Sequence, residues 1–257
     1  MRFSKWHALG NSYLLVERAE VGRPLTPERA QALCDPRTGA GADGVLEVLS
    51  ADDDRAEIEI WNPDGSTAEL SGNGLRIVAR WLSERSGADE VRVRVGAREV
   101  TARVRGEVVE LDVGAVEVGE LEELTVGGER LEVTAVSVGN PHAVVRREPS
   151  RDDLLRLGPA LERHARFPER TNVQLVRVDG LHDLTVAVWE RGAGETASSG
   201  TSAVAATAAA VANGWCESPV TVHLRGGDLL VELDAENRAT LTGPAVEILR
   251  GELVGEA

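Results

Sequence analysis

The stretch from Trp189 to Ser202, WERGAGETASSGTS, sets polar backbone where chemistry on a small anion could happen. It follows the alternating run Leu184-Thr185-Val186-Ala187-Val188, which is strand-like, and precedes Ala203 to Ala212, an apolar run of helical length. It therefore reads as a glycine-rich turn between a strand and a helix. The N–H groups of Gly200 and Thr201 would point out of the helix start, the end of a helix that favours negative charge. Such a turn can hold a carboxylate.

A second copy stands at Trp61, WNPDGSTAELSGNG, again after an alternating run (Ala56 to Ile60) and before an apolar helical segment. The spacing from Trp61 to Ser71 equals that from Trp189 to Ser199, which sets Ser71-Gly72-Asn73-Gly74 opposite Ser199-Gly200-Thr201-Ser202. Gly10-Asn11 pairs with Gly139-Asn140 at nearly the same offset, Asp43 with Asn172, and Val91 to Val95 with Val220 to Leu224. Matches that recur in register along both halves mark one unit written twice.

The elements that must position these turns follow from local signals. Phe3 to Glu17 reads as strand, turn at Gly10-Asn11, strand. Thr26-Pro27-Glu28 starts a helix running to about Cys34, with Thr26 as N-cap and Pro27 in the first turn. The glycine-rich Thr38 to Gly44 leads into a strand from Val45. Leu75, Val78, Ala79 and Leu82 fall at helical spacing with Ile77 and Trp81 on the other faces, so this helix belongs inside. Glu90 to Val113 alternates as an antiparallel meander, and the acidic Gly114 to Glu123 is expected to hold the domain boundary. In the second half, Ser150 caps a helix expected to reach about Arg166, and a helix from Thr201 to Asn213 closes at Gly214. The expected fold is α/β, in the α+β sense: two pseudo-symmetric domains, each a mostly antiparallel, barrel-like sheet around a central helix. Residues 1–116 form the first, with a last strand at about 245–257 completing it, and 117–244 the second.

At 257 residues the chain is long enough for two such cores. A net charge of -15 with no basic patch argues against a nucleic-acid partner. No apolar stretch reaches membrane-spanning length and the first residues lack the apolar core of a signal peptide, so a cytoplasmic protein is expected. Lys5 is the only lysine, which argues against a pyridoxal phosphate Schiff base. His7, His142, His164, His182 and His223 show no paired metal-ligand spacing, and Cys34 and Cys216 read as buried small hydrophobes. Neither a metal nor a cofactor is expected.

With Gly10-Asn11, Gly41-Ala42-Asp43-Gly44, Asn62 and Asp64-Gly65-Ser66, Gly72-Asn73-Gly74 with Arg76, Gly139-Asn140-Pro141-His142, Thr171-Asn172-Val173, Glu190-Arg191-Gly192 with Gly194-Glu195-Thr196, and Gly200-Thr201, the chain resembles the diaminopimelate epimerase family. These are cofactor-independent enzymes of lysine and cell-wall precursor synthesis. The resemblance implies a substrate cleft between the two domains and an amino-acid substrate like diaminopimelate. It implies that Asn11, Asn62, Asn140, Asn172, Glu190 and Arg191 hold that substrate. The N–H groups at Gly72-Asn73 and Gly200-Thr201 would hold the reacting carboxylate, into which charge spreads once the α-proton leaves. His142 and Glu190 would tune ionisation nearby. A homodimer is compatible with the family, although the duplicated plan needs no second chain to complete its cleft.

The chain departs from the family at its acid–base pair. Where the family carries two cysteines, one for each face of the stereocentre, this sequence has Ser71 and Ser199. A thiol near pKa 8.5 can be brought toward neutrality at a helix start, whereas a serine hydroxyl is a far weaker acid and needs an adjacent base. Three readings follow: an amino-acid epimerase working with serines, with low or no activity; an isomerase or dehydratase on the same fold with Asp43, Glu190 or His142 as base; or a non-catalytic amino-acid-binding paralogue. Ser202, where the family has a further glycine, would narrow the room beside the second helix start.

Overall fold

The computed structural model describes residues 1–21 and 24–254, so the last three residues of the strand expected at about 245–257 lie outside the described residues. The first half of the chain runs through β1 (Arg2–Ala8), β2 (Asn11–Glu17), α1 (Arg18–Val21), α2 (Pro27–Cys34), β3 (Val45–Ala51), β4 (Arg55–Trp61), β5 (Thr67–Ala68), α3 (Gly72–Ser86), β6 (Glu90–Val95), β7 (Arg98–Arg105) and β8 (Val108–Ala115). The second contains β9 (Glu117–Val126), β10 (Glu129–Ser137), β11 (Pro141–Arg146), α4 (Arg151–Glu162), β12 (Asn172–Gly180), β13 (Asp183–Glu190), β14 (Gly194–Thr196), α5 (Gly200–Ala212), β15 (Val220–Leu224), β16 (Gly227–Leu233) and β17 (Arg238–Pro244), and β18 (Val246–Glu252) ends the chain. Two compact units result, Met1–Leu111 with Gly243–Ala257, and Asp112–Thr242.

Strand pairing repeats from one unit to the other. In the first, β1 and β2 form an antiparallel hairpin, β2 runs parallel to β3, β3 antiparallel to β4, and β4 parallel to β6, which opens the antiparallel β6-β7-β8 meander. In the second, β10 and β11 are antiparallel, β11 and β12 parallel, β12 and β13 antiparallel, and β13 runs parallel to β15 before the β15-β16-β17 meander. The outer strand also has its counterpart, β18 against β1 and β9 against β10. Each parallel step needs a crossover connection, supplied by α2 and α3 in one unit and α4 and α5 in the other.

Both central helices are enclosed by their own unit's strands. α3 packs against β1, β2, β3, β4, β6 and β7, and α5 against β9 through β13, β15 and β16. Every residue of α5 from Gly200 to Ala210 is buried, and its Ala, Gly, Ser, Thr and Val side chains are small enough for strands to approach all round. α3 buries Leu75, Ile77, Val78, Ala79 and Leu82 and stops at Gly87, whose φ of 78° accommodates the left-handed cap. Outside the sheets, Ala30, Leu33 and Cys34 of α2 pack on Leu14, Val16, Val45 and Trp61. Leu154, Leu157 and Leu161 of α4 pack on Val133, Val145, Val173 and Leu175. The core of each unit thus lies on both faces of its sheet.

The acidic Gly114 to Glu123 stretch is largely extended: β8 ends at Ala115 and β9 begins at Glu117, paired along β10, with Leu124 and Val126 packed on the core of the second unit and Leu121 exposed. One detail differs from expectation. α4 stops at Glu162 rather than near Arg166. Phe167 joins the cluster of Leu154, Leu157 and Leu161, and helical spacing beyond Leu161 would carry it off that face, so tight turns at His164 and Phe167 replace the last turn of helix.

Candidate active site: two helix starts

Each repeated motif places its tryptophan at or near the end of a strand and its serine at the cap of the central helix. The tryptophans are anchored alike, Trp61 Nε1 donating to the buried Glu47 carboxylate at 3.3 Å and Trp189 Nε1 to the buried Glu162 carboxylate at 2.8 Å. Ser71 caps α3 with φ -141° and ψ 112°, and Ser199 caps α5 with φ -145° and ψ 120°. One backbone conformation is therefore written into both helix starts, and the first-turn N–H groups of each are directed outward along the helix axis.

In the first unit, Ser71 Oγ accepts the Gly74 N–H at 3.1 Å and lies 3.1 Å from the hydroxyl of Tyr13 on β2. Gly74 has no room for a side chain, since a Cβ would come within 2.9 Å of Leu46. Asn73 is buried, its Oδ1 accepting from Arg76 Nη2 at 2.8 Å. Arg76 is fully buried; its other bonds go to the carbonyls of Gly72 (3.1 Å) and Pro244 (3.2 Å), and no carboxylate pairs with it among the described residues. Burial pushes its guanidinium down to about 10. Asn11 begins β2, with Oδ1 buried and unpartnered, while Asn62 closes a turn by donating Nδ2 to Ser66 Oγ at 2.9 Å.

The hairpin that carries Asn11 and Tyr13 is tied to the loop before β3. Asp43 accepts both the N–H (2.8 Å) and the hydroxyl (2.9 Å) of Ser12, and its own N–H donates to the Ser12 carbonyl. The second unit reverses the polarity at this contact. Pro141 stands where Ser12 does and has no N–H to offer. The residue facing it is accordingly an amide, Asn172, which donates Nδ2 to the Pro141 carbonyl at 3.0 Å and accepts the Arg191 N–H at 2.9 Å. Both ends of the Asn172 side chain are thus engaged with the protein.

His142 occupies the place of Tyr13 in the second unit but meets different partners. It is buried at 1% exposure, with Nε2 donating to Asn140 Oδ1 at 2.9 Å and Nδ1 accepting from Gln174 Nε2 at 3.0 Å. Gln174 donates also to Ser202 Oγ at 3.0 Å. Burial pushes the imidazole down to about 3, only partly offset by the Gln174 bond and reinforced by the Arg191 charge, so the ring stays neutral. Ser202 is fully buried and fills the space beside the helix start with this network. Ser199 is 4% exposed and makes no side-chain capping bond. Thr201 is buried in the first turn of α5, Glu190 ends β13 half-buried, and the Arg191 side chain donates to the Glu169 carbonyl at 3.2 Å.

In the first unit, then, Ser71, Gly72 and Asn73 stand at the start of α3, Asn11 begins β2 and Asn62 follows β4; in the second, Ser199, Gly200 and Thr201 stand at the start of α5, and Asn140, His142, Asn172, Glu190 and Arg191 lie about the ends of β11, β12 and β13. Tyr13, Gln174 and the two tryptophan anchors are contributors that sequence patterns did not single out. The register of the two copies was the available signal for Tyr13 and His142, which follow Gly10-Asn11 and Gly139-Asn140 at equal distance. Cys34 and Cys216 lie outside both groups, buried, with the Cys34 thiol pushed up to about 11 by burial and the nearby Asp43 charge.

The fold is shared with solved structures of low sequence identity. A predicted epimerase from Pseudomonas aeruginosa superposes with a TM-score of 0.76 at 18% identity over 99% of both chains. A hydroxyproline epimerase from Agrobacterium vitis superposes at 0.74 and 18% identity, covering 98% of this chain and 90% of that one. The sequence goes further: the diaminopimelate epimerase profile matches residues 3–119 and 134–248, one segment for each copy of the repeat. The diaminopimelate epimerase of Desulfitobacterium hafniense is 38% identical over 291 aligned positions, covering 100% of this chain and 99% of the relative. That of Magnetococcus marinus is 38% identical over 274, covering 99% and 97%. The chain belongs to the diaminopimelate epimerase family. No helix among the described residues is long and apolar enough to cross a membrane.

Proposed function

We propose that this chain is a cytosolic, cofactor-independent epimerase acting on LL- and meso-diaminopimelate, with Ser71 and Ser199 in the positions of the family's thiol pair. The observation that carries the reading is the equal cap conformation at the two helix starts, which gives each half a hydroxyl beside outward-directed N–H groups. Taking the α-proton leaves an electron pair that spreads into the adjoining carboxylate, and fixed donors at helix N-termini stabilise that charge without reorganising. Asn11, Asn62, Asn140, Glu190 and Arg191 serve as substrate ligands. Asn172 contributes by fixing the Pro141 turn and the Arg191 backbone, since its amide is already engaged.

Asp43 and His142 are poorly suited to the role of general base in this reading. Asp43 accepts two bonds from Ser12, and the His142 ring is buried, neutral and bonded at both nitrogens. The serines, being weak acids, make a slow enzyme compared with a thiol pair. The test is α-proton exchange and epimerisation of both diaminopimelate isomers in heavy water, followed by NMR for the serine chain and for Ser71→Cys/Ser199→Cys. Turnover by either supports the reading, with the cysteine variant the faster by at least tenfold. Absence of turnover in both overturns it.

A further inference from the structure

We propose that Tyr13 is the proton acceptor for Ser71, a positioning residue that lets a serine do on the first helix start what its own acidity would not. The inference rests on the epimerase reading above. Its basis is the 3.1 Å contact between the Tyr13 hydroxyl and Ser71 Oγ. Ser71 Oγ accepts the Gly74 N–H and keeps its own proton, and either hydroxyl of the Tyr13–Ser71 pair can donate; with Tyr13 ionised, Ser71 is the donor.

The ring is held in that place. Tyr13 is 7% exposed, and a Cβ on Gly44 would fall 2.6 Å from its Cε1 and 2.8 Å from the Trp61 carbonyl, so glycine at this position makes room for the ring. The Leu14 N–H bonds the Gly44 carbonyl at 3.0 Å, and Ser12 is tied to Asp43, which fixes the strand on both sides of the tyrosine. From α3 comes Arg76, near enough for a charge on the Tyr13 oxygen to raise its pKa, and bonded to Asn73 and to the carbonyls of Gly72 and Pro244. From the loop before β3 comes Asp43, whose carboxylate is turned to Ser12. A buried cation lacking a counter-ion favours an anion nearby. Tyr13 ionised at raised pH would supply one, and the relay runs in that form.

In the proton transfer, the α-carbon to hydrogen bond breaks and its electron pair passes into the substrate carboxylate. The released proton goes to Ser71 Oγ as the serine's own proton moves to the Tyr13 oxygen, turning phenolate into phenol. The reverse movement returns the proton. The second half has no such relay, because the residue matching Tyr13 is His142, bonded to Asn140 and Gln174.

Tyr13 is the only tyrosine in the chain, so its ionisation can be read directly by tyrosinate absorbance. The experiment measures α-proton exchange of diaminopimelate in heavy water against pH for the serine chain, Tyr13→Phe, Ser71→Cys and the Ser71→Cys/Tyr13→Phe double variant. For the serine chain, the rise of exchange with pH is expected to coincide with the spectroscopic titration of Tyr13. Tyr13→Phe should abolish that rise and cost on the order of a hundredfold in rate. The same change should cost the Ser71→Cys chain at least tenfold less, since a thiol ionises without a phenolate. Equal losses in both backgrounds would mean that Tyr13 merely supports packing, and would overturn the inference. An unchanged pH profile in Tyr13→Phe would overturn it too. If the serine chain does not exchange while Ser71→Cys/Ser199→Cys turns over, the relay is refuted and the epimerase reading stands; if neither turns over, both fall.

Discussion

Lowering the pH from 7 to 5 should weaken this protein through His142. In the folded state burial holds the imidazole down at about 3, whereas in the unfolded chain it returns to about 6.5. The folded pKa lies below the unfolded one, so for this base the unfolded state binds a proton that the folded state refuses. The stability present above about pH 6.5 is lost as the pH falls toward 3. At pH 5 the unfolded histidine is almost fully protonated and the folded one almost fully neutral. The loss by then is about 2 kcal/mol, because each step of one in pH below about 6.5 costs about 1.36 kcal/mol. His223 acts in the opposite sense: its bond to Asp228 raises its pKa, so it gains stability over the same acid interval, and His223→Gln removes that contribution. The assay is urea unfolding of His223→Gln with and without His142→Asn, at steps between pH 7 and 5. The parent should lose about 2 kcal/mol more across the interval than the His142→Asn chain, with the denaturant slope unchanged. Equal losses would show that the buried ring takes up a proton while folded, and would refute the assignment of a neutral His142 between Asn140 and Gln174.

Two further outcomes follow from contacts within the units. Asn172→Asp removes the donor facing the Pro141 carbonyl and should cost about 1–3 kcal/mol in urea unfolding. Adding Pro141→Ser should recover part of it by recreating the Ser12–Asp43 arrangement of the first unit, and a double variant no more stable than Asn172→Asp would contradict the proposed match. Cys34, with its thiol pushed up to about 11, should react with a disulfide reagent at pH 8 on the order of a hundredfold more slowly in the native chain than in urea, where its pKa is about 8.5; similar rates in both would show an accessible thiolate.

Much of the architecture could be read from local spacing. Glycine and serine at Ser71-Gly72 and Ser199-Gly200 mark helix starts because few other residues suit a cap beside close-packed backbone, and apolar residues on all faces of the following runs leave burial as the only stable outcome. Thr26-Pro27 and the Glu90 to Val113 alternation likewise determine structure within a few residues of themselves. The end of α4 was less legible, since it depends on Phe167 finding a cluster built from β10, β11 and β12. The strand character of Glu117 to Val126 was hidden for a related reason: acidic residues on an outer strand can face water while only its far end, at Leu124 and Val126, packs on the core.

The least legible feature was which partner each strand residue meets across the fold. Tyr13 reads in sequence as one more apolar residue of Tyr13-Leu14-Leu15-Val16, and only folding brings its hydroxyl to Ser71, 58 positions away. Its match in the second copy, His142, lies on the equivalent strand, yet a change from valine to glutamine at the position of Val45 gives it Gln174 to bond, and Ser202 in place of Gly74 completes the network. Two copies that agree in strand pairing, cap angles and tryptophan anchoring have thus diverged in the few polar side chains beneath their helix starts. A symmetric pair of serines would impose equal chemistry on the two halves only if their surroundings were equal. Here one hydroxyl bonds a phenol near a buried guanidinium while the other makes no capping bond, so equal cap angles place the two serines in unequal surroundings.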